Sequence, residues 1–285
     1  MDFPPISFVI PCYNESAEVI HRTIQEVSDF IAKHEALDGS EIILVDDGGD
    51  EEAFMDFPHH QARLIRHSRN QGYGAALKTG IKNAKMEWIG ILDADGTYPV
   101  GDFEKLLPHV GRYHMIVGQR SWNEIEPVRR PAKKAITVLA SYLADYKIPD
   151  INSGMRLFHR EIVDRHLRVY PNKFSFSSTM TMVSLTNLYE VIFVPISYKE
   201  RIGQSSIHPF KDPIRFVTQL LRLALYFRPL RFFIPLSAGV VFIGAIRGIR
   251  DILAAGHIGN LALIVMLMGF QIFFFGLIAE IINKK

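Results

Sequence analysis

Short runs of apolar residues recur along the first two thirds of the chain. Ile6 to Ile10, Ile42 to Val45, Arg63 to Ile65, Trp88 to Leu92 and Met115 to Val117 read as strands, and Val191 to Pro195 as a later one. Helical patterns separate several of them. Ile20, Ile24, Val27 and Ile31 fall at i, i+4, i+7 and i+11, one face of a helix. Further helices are expected from Gly74 to Lys85, from Pro127 to Tyr146 with a basic start, and from Ser177 to Leu188. Strands that alternate with helices imply a mostly parallel sheet covered on both faces. Ile6 to Ile10 is too short for a signal peptide and carries neither a basic flank nor a cleavage site.

The pattern changes near residue 210. In Lys211 to Arg228, Ile214, Val217, Leu221 and Leu225 form an apolar stripe, with Arg215, Gln219 and Arg222 on another face. A basic amphipathic helix of this kind suits a membrane interface. Phe232 to Ile246 is uncharged but only about 22 Å long as a helix. Extension to Ala255 supplies a spanning length and takes in Arg247, Arg250 and Asp251, of which Arg247 and Asp251 are spaced i, i+4 for pairing. Leu261 to Ile282 gives about 33 Å, broken only by Gln271 and Glu280. The turn Gly256 to Asn260 joins them, so the two segments read as a transmembrane hairpin. Arg222, Arg228 and Arg231 precede it, Lys284 and Lys285 follow it, and the loop has neither Lys nor Arg. The positive-inside rule then puts both termini in the cytoplasm, although Arg247 and Arg250 approach the far side.

Composition sharpens this division. The 285 residues are 48% apolar and 22% charged, which excludes disordered, collagenous and low-complexity chains. One cysteine, Cys12, excludes a disulfide framework and a cysteine-built zinc site. The net charge of +2 lacks the basic excess of a nucleic-acid binder. It sums two unlike parts: residues 1–210 carry −4 and residues 211–285 carry +6.

Two acidic pairs stand directly after strands: Asp46-Asp47-Gly48, and Asp93-Ala94-Asp95-Gly96. Ligands of open α/β sheets bind at the carboxyl ends of strands. In extended chain, Asp93 and Asp95 point the same way. Oxygen donors of this kind suit Mg2+ or Mn2+ shared with substrate phosphates. The bland reading is an Asx-type turn before Gly96. Asn70-Gln-Gly-Tyr-Gly-Ala-Ala76 fails as a dinucleotide fingerprint, because Leu77 stands where the third glycine would be. It remains a glycine-rich helix entry that a ligand could approach. Basic residues gather at Arg120, Arg129, Arg130, Lys133 and Lys134, with Arg156 and Arg201 further on, either as a solvated face or as phosphate contacts.

Taken in order, Val9-Ile-Pro-Cys-Tyr-Asn-Glu15, Val45-Asp-Asp-Gly48, Asn70-x-Gly72 with Gly74, Asp93-Ala-Asp95, Gly118-x-Arg120 and Asp150-x-x-Ser-Gly-x-Arg-Leu-Phe158 resemble glycosyltransferase family 2. The likeness is to its polyprenyl-phosphate glycosyltransferases, the group containing dolichol-phosphate mannose synthases. It implies a GT-A fold, a Rossmann-like α/β catalytic domain over 1–210. An interface helix over 211–230 and a hairpin over 231–285 would follow. It implies that Pro11, Tyr13, Glu15 and Asp46 or Asp47 line the nucleotide, with Gly74 beside it, and that Asp93 and Asp95 hold the metal. Arg120, Arg156 and Arg201 would contact phosphates. The expected enzyme is a metal-dependent, inverting hexosyltransferase that moves one sugar from a nucleotide-sugar, with UDP-glucose the first choice, to a polyprenyl phosphate. It would work as a homo-oligomer, a tetramer among its forms, in a bacterial inner membrane or its equivalent.

There are departures from the pattern. Gly96-Thr97 replaces the usual Leu-Gln after the second aspartate, so Thr97 or a water would complete the metal shell. Gly49 replaces a serine, and Gly203-Gln-Ser-Ser206 lacks a lysine common in relatives. Two rivals stay open. A processive polysaccharide synthase would carry Gln-x-x-Arg-Trp, and Gln219-Leu-Leu-Arg222-Leu223 comes close without the Trp. A membrane-anchored nucleotide-sugar sensor would need no catalysis.

Overall fold

A computed structural model describes residues 3–49, 52–54, 57–121, 130–173, 175–199 and 211–283. Along the chain run β1 (Ile6–Cys12), α1 (Ala17–Lys33), β2 (Glu41–Asp46), β3 (Arg63–Arg66), α2 (Tyr73–Asn83), β4 (Trp88–Ile91), α3 (Phe103–Leu106) and β5 (Met115–Gln119). Then come α4 (Arg130–Ala144), β6 (Arg156–His159), α5 (Glu161–Asp164), α6 (Phe176–Thr186), β7 (Val191–Pro195), α7 (Lys211–Phe227), α8 (Pro229–Ala255) and α9 (Asn260–Asn283).

The strands form one sheet in the order β3-β2-β1-β4-β6-β5-β7. Every neighbouring pair is parallel except those of β6, which runs against both β4 and β5. Alternation along β1 divides the core. Phe8 and Ile10 face α1 and Phe103, while Val9 faces Leu77 and Ile81 of α2. On α1 the buried stripe is Ile20, Ile24, Val27 and Phe30, with Phe30 in the place expected for Ile31. The chain steps outward from β1 to β2 and β3, then returns to β4 on the other side of β1. This reversal opens a crevice at the carboxyl ends of β1 and β4. Because β6 is antiparallel, its beginning lies at that same end.

Hydrophobic patterning missed β6, which is four residues long and opens on an arginine. Three helix ends also stop earlier than expected, α2 at Asn83 before Lys85 among them. Left-handed backbone at Asp145 (φ 59°) and Leu188 (φ 60°) ends α4 before Tyr146 and α6 before Leu188. Residues 127–129 lie outside the described residues.

Helices α8 and α9 pack along each other, and their other faces are bare. Phe242 is 66% exposed, Leu253 82% and Phe275 62%. Both helices are long and apolar enough to cross a membrane. A water-facing surface this apolar would drive aggregation, whereas lipid accepts it. Gly244 and Gly248 are buried at the seam, against Met266 and Ala262. Gly256 ends α8 in left-handed backbone (φ 73°) and donates its N–H to Ile252 O at 2.8 Å. The expected pair forms, with Arg247 Nε 3.2 Å from Asp251 Oδ1.

The hairpin is bolted to the sheet domain. Arg231 donates to Tyr142 O at 2.7 Å, and the Tyr142 hydroxyl donates back to Arg231 O at 3.0 Å. Arg228 reaches Ala144 O at 3.3 Å. In α7, Leu223 and Ala224 are buried in the core, whereas Leu225, on the expected stripe, is exposed. The helix therefore carries a domain-facing side besides the apolar stripe read from sequence.

A Cβ at Gly244 would lie 2.6 Å from Met266 Cγ and 3.0 Å from its backbone nitrogen. Gly244→Leu is expected to cost about 1–3 kcal/mol, read as a lower thermal midpoint of the detergent-solubilised chain with helical content retained.

Candidate active site

The crevice is built from loop residues that leave each strand at its carboxyl end. At the end of β1, Pro11 is buried in register with Val45. Tyr13 is 47% exposed, Asn14 turns through φ 56°, and Glu15 is half-buried at the entry to α1. Asp46, fully buried, takes Arg66 Nε on Oδ2 at 2.9 Å and the Gly49 N–H on Oδ1 at 2.8 Å. The backbone makes the latter bond, so a glycine in place of serine at 49 keeps it. Asp47 accepts the N–H groups of Gln71 (2.9 Å) and Gly72 (2.7 Å), and His67 Nδ1 at 2.7 Å. A carboxylate only accepts, so Nδ1 carries the proton there, and in the neutral ring Nε2 accepts from Thr79 Oγ1 at 2.8 Å. The two aspartates thus shape the crevice wall.

Asp93 and Asp95 lie on the loop after β4. The Tyr73 hydroxyl donates to Asp93 Oδ1 at 2.8 Å. Burial and the charge of Asp93 push the Tyr73 phenol well above its ordinary pKa, so it remains a donor. Gly154 presses on the other side of Asp93, where a Cβ would overlap Oδ2. Asp95 Oδ1 accepts from Thr97 twice, from Oγ1 at 2.6 Å and from the backbone N–H at 3.1 Å. This is the Asx turn, closed by Gly96 at φ 72°. It coexists with a candidate cation site. Thr97, expected in the metal shell, is 1% exposed and its hydroxyl donates to Asp95, so it braces that carboxylate.

The donor set suits a hard divalent cation. It consists of two carboxylates, with no group of three or more His, Cys, Asp or Glu among the described residues. Mg2+ and Mn2+ sites of this kind borrow their remaining oxygens from a bound diphosphate.

The cations also differ from expectation. Arg120 forms a two-bond fork with fully buried Asp150, Nε to Oδ2 at 2.7 Å and Nη2 to Oδ1 at 3.0 Å, and lies over the Tyr198 ring at 5.2 Å. Arg156 is fully buried. It donates to Ser153 O (2.9 Å), Ile151 O (3.0 Å) and Thr181 Oγ1 (2.8 Å). Burial lowers its pKa to about 10, which leaves it charged at neutral pH. It holds the 151–153 loop and has no open face for a phosphate. At Gly74 a Cβ would overlap Pro171 O, so the chain itself makes a close approach there. Arg201 and Gly203 to Ser206 lie outside the described residues. Tyr73, His67 and Asp150 were missed as site residues. His67 directly follows β3 and obeys the strand-end rule that found the aspartates.

Residues 7–167 match the model of glycosyl transferase family 2, and residues 228–284 match that of the GtrB C-terminal hairpin. The chain belongs to glycosyl transferase family 2 and is a glycosyltransferase with the GT-A fold expected from its motifs. It is 28% identical over 246 residues to a dolichyl-phosphate beta-glucosyltransferase, ALG5C, of Trichomonas vaginalis, covering 78% of this chain and 71% of that one. It is 25% identical over 300 residues to an undecaprenyl-phosphate 4-deoxy-4-formamido-L-arabinose transferase of Proteus mirabilis, covering 98% and 88%. Among solved structures, glucosyl-3-phosphoglycerate synthase of Mycobacterium tuberculosis in complex with Mn2+, UDP and glucosyl-3-phosphoglycerate superposes with a TM-score of 0.60, at 16% identity over 78% of this chain and 80% of that one.

Arg156→Met would strand Ser153 O and Ile151 O. At about 1–3 kcal/mol for each orphaned acceptor, stability should fall by roughly 3 kcal/mol in denaturant unfolding. A stable variant with only a raised donor KM would instead mark Arg156 as a phosphate contact.

Proposed function

We propose that the chain transfers a single sugar from a nucleotide-sugar to a polyprenyl phosphate at a membrane surface, with inversion at the anomeric carbon. The observation that carries this reading is the pairing of Asp93 and Asp95 in a ligand crevice with an apolar hairpin held to the same domain by Arg228 and Arg231. Curated relatives of both dolichyl and undecaprenyl type support the acceptor class. A glucosyltransferase relative and a neighbour crystallised with UDP favour a UDP-hexose, glucose first.

A polyprenyl monophosphate has a second pKa of about 6 and is already a nucleophile near neutral pH. The protein then needs no strong base. Its work is alignment, stabilisation of the leaving diphosphate and exclusion of water. Asp93 and Asp95 would hold Mg2+ or Mn2+, which when bound supplies charge neutralisation at the leaving group. Tyr13 and Glu15 face the nucleoside end. The apolar stripe of α7 read from sequence lies in the interface, both termini are cytoplasmic, and Arg222, Arg228 and Arg231 meet the headgroups.

Membranes carrying the chain, given a panel of radiolabelled nucleotide sugars with undecaprenyl or dolichyl phosphate, should yield a lipid bearing one sugar. A lipid-linked polymer would favour a processive synthase, and no transfer from any donor would sink the reading. Asp95→Ala should lower transfer by about 100-fold or more while the chain still sediments with membranes. Wild-type turnover in that variant would remove Asp95 from the mechanism.

A further inference from the structure

Each carboxylate of the Asp93/Asp95 pair is gripped through Oδ1 by a hydroxyl, that of Thr97 for Asp95 and that of Tyr73 for Asp93. Thr97 is a neighbour in sequence. Tyr73 comes from another element twenty residues earlier, and several contacts fix where it stands. It opens α2 immediately after Gly72, whose N–H is bonded to Asp47 at 2.7 Å. Just beyond it, Ala75 donates to Asn172 O at 2.7 Å, and Lys78 Nζ ties down Tyr170 O at 2.6 Å and Asn172 Oδ1 at 2.7 Å. The phenol therefore reaches Asp93 from a rigid base, and Gly154, where a Cβ would overlap Oδ2, leaves that oxygen its room.

We propose that Tyr73 is a positioning residue for Asp93, holding its carboxylate in the orientation a divalent cation requires and so setting the cation affinity of the donor site. This rests on the metal-dependent reading given above. The chemistry of the donor matters. A hydroxyl restrains an ionised carboxylate without placing a positive charge on it, so the bond itself does not compete electrostatically with a cation. A ligand turned in advance loses less rotational freedom on binding metal, and removing the group that orients a ligand typically weakens metal affinity by about 10–100-fold.

The test is Tyr73→Phe in the full chain, solubilised in detergent, with Mn2+ binding in the presence of UDP followed by electron paramagnetic resonance. The ring is kept and only the hydroxyl is lost. Affinity for Mn2+ should fall by about 10-fold, with the metal-free protein still folded at the assay temperature and its thermal midpoint lowered only by the bonds the hydroxyl made to Asp93 and Ser177. The Mn2+ concentration for half-maximal transfer should rise by the same factor, and turnover should recover to near wild type at saturating metal. Wild-type Mn2+ affinity in Tyr73→Phe, beside lost binding in Asp95→Ala, overturns the proposal and leaves the metal reading intact. A turnover deficit that no Mn2+ concentration relieves, or a lowered midpoint that accounts for weaker binding, also overturns it by making Tyr73 merely structural. Wild-type protein that binds no Mn2+, or Asp95→Ala that binds it unchanged, overturns both.

Discussion

The Asp47 carboxylate takes the N–H groups of two consecutive residues, Gln71 and Gly72, and shares a third bond with His67. That contact joins the end of β2 to the entry of α2, elements far apart in sequence and on different layers. The position of the rest of the crevice depends on it. With Gly72 held, Tyr73 begins α2 where its phenol meets Asp93, and the helix entry can receive Asn172 from the far end of the domain. Loosening this one carboxylate would free the loop over the nucleotide side and the brace on the cation side together.

The crevice handles burial of charge in two ways. Where a carboxylate only shapes the wall, it is neutralised by a guanidinium, as Asp46 is by Arg66 and Asp150 by Arg120. Such pairs offset the cost of removing ions from water only if their geometry is good and their other hydrogen bonds are met. The Arg120–Asp150 fork meets that condition, with backbone N–H groups of Arg120 and Asn152 also on Asp150. Arg156 is the extreme case, a buried cation satisfied by two carbonyls and a hydroxyl. At Asp93 and Asp95 the hydroxyls of Tyr73 and Thr97 donate to the carboxylates.

Much of this was legible in the residues, for reasons that can be named. The apolar runs marked every strand but β6: β1, β2, β4 and β5 are buried on both faces and therefore apolar throughout, while the half-exposed edge strands β3 and β7 still carry short apolar runs. β6 escaped because it is short, opens with Arg156 and draws its stability from two flanking strands. The spacing of Asp93 and Asp95 and their place after β4 marked the candidate cation site, since strand ends at a switch point face the ligand. What pattern could not supply was the occupation of each group. Gly74, Thr97 and Arg156 have the residue types and positions of ligand contacts, yet other parts of the chain occupy their faces. Pairings across 20 or more residues, such as Tyr73 with Asp93 or Arg120 with Asp150, are set by packing and leave no local trace.

The reciprocal bonds between Tyr142 and Arg231 have a mechanical meaning. They join the first turn of α8 to the last turn of α4 through two backbone carbonyls. At 27 residues, α8 is about 40 Å long, against about 30 Å for a hydrocarbon core, and such excess length is taken up as tilt. Were the hairpin to span a bilayer, this joint would carry the tilt to α4 and the sheet behind it. Bilayer thickness would then set the pitch of the crevice.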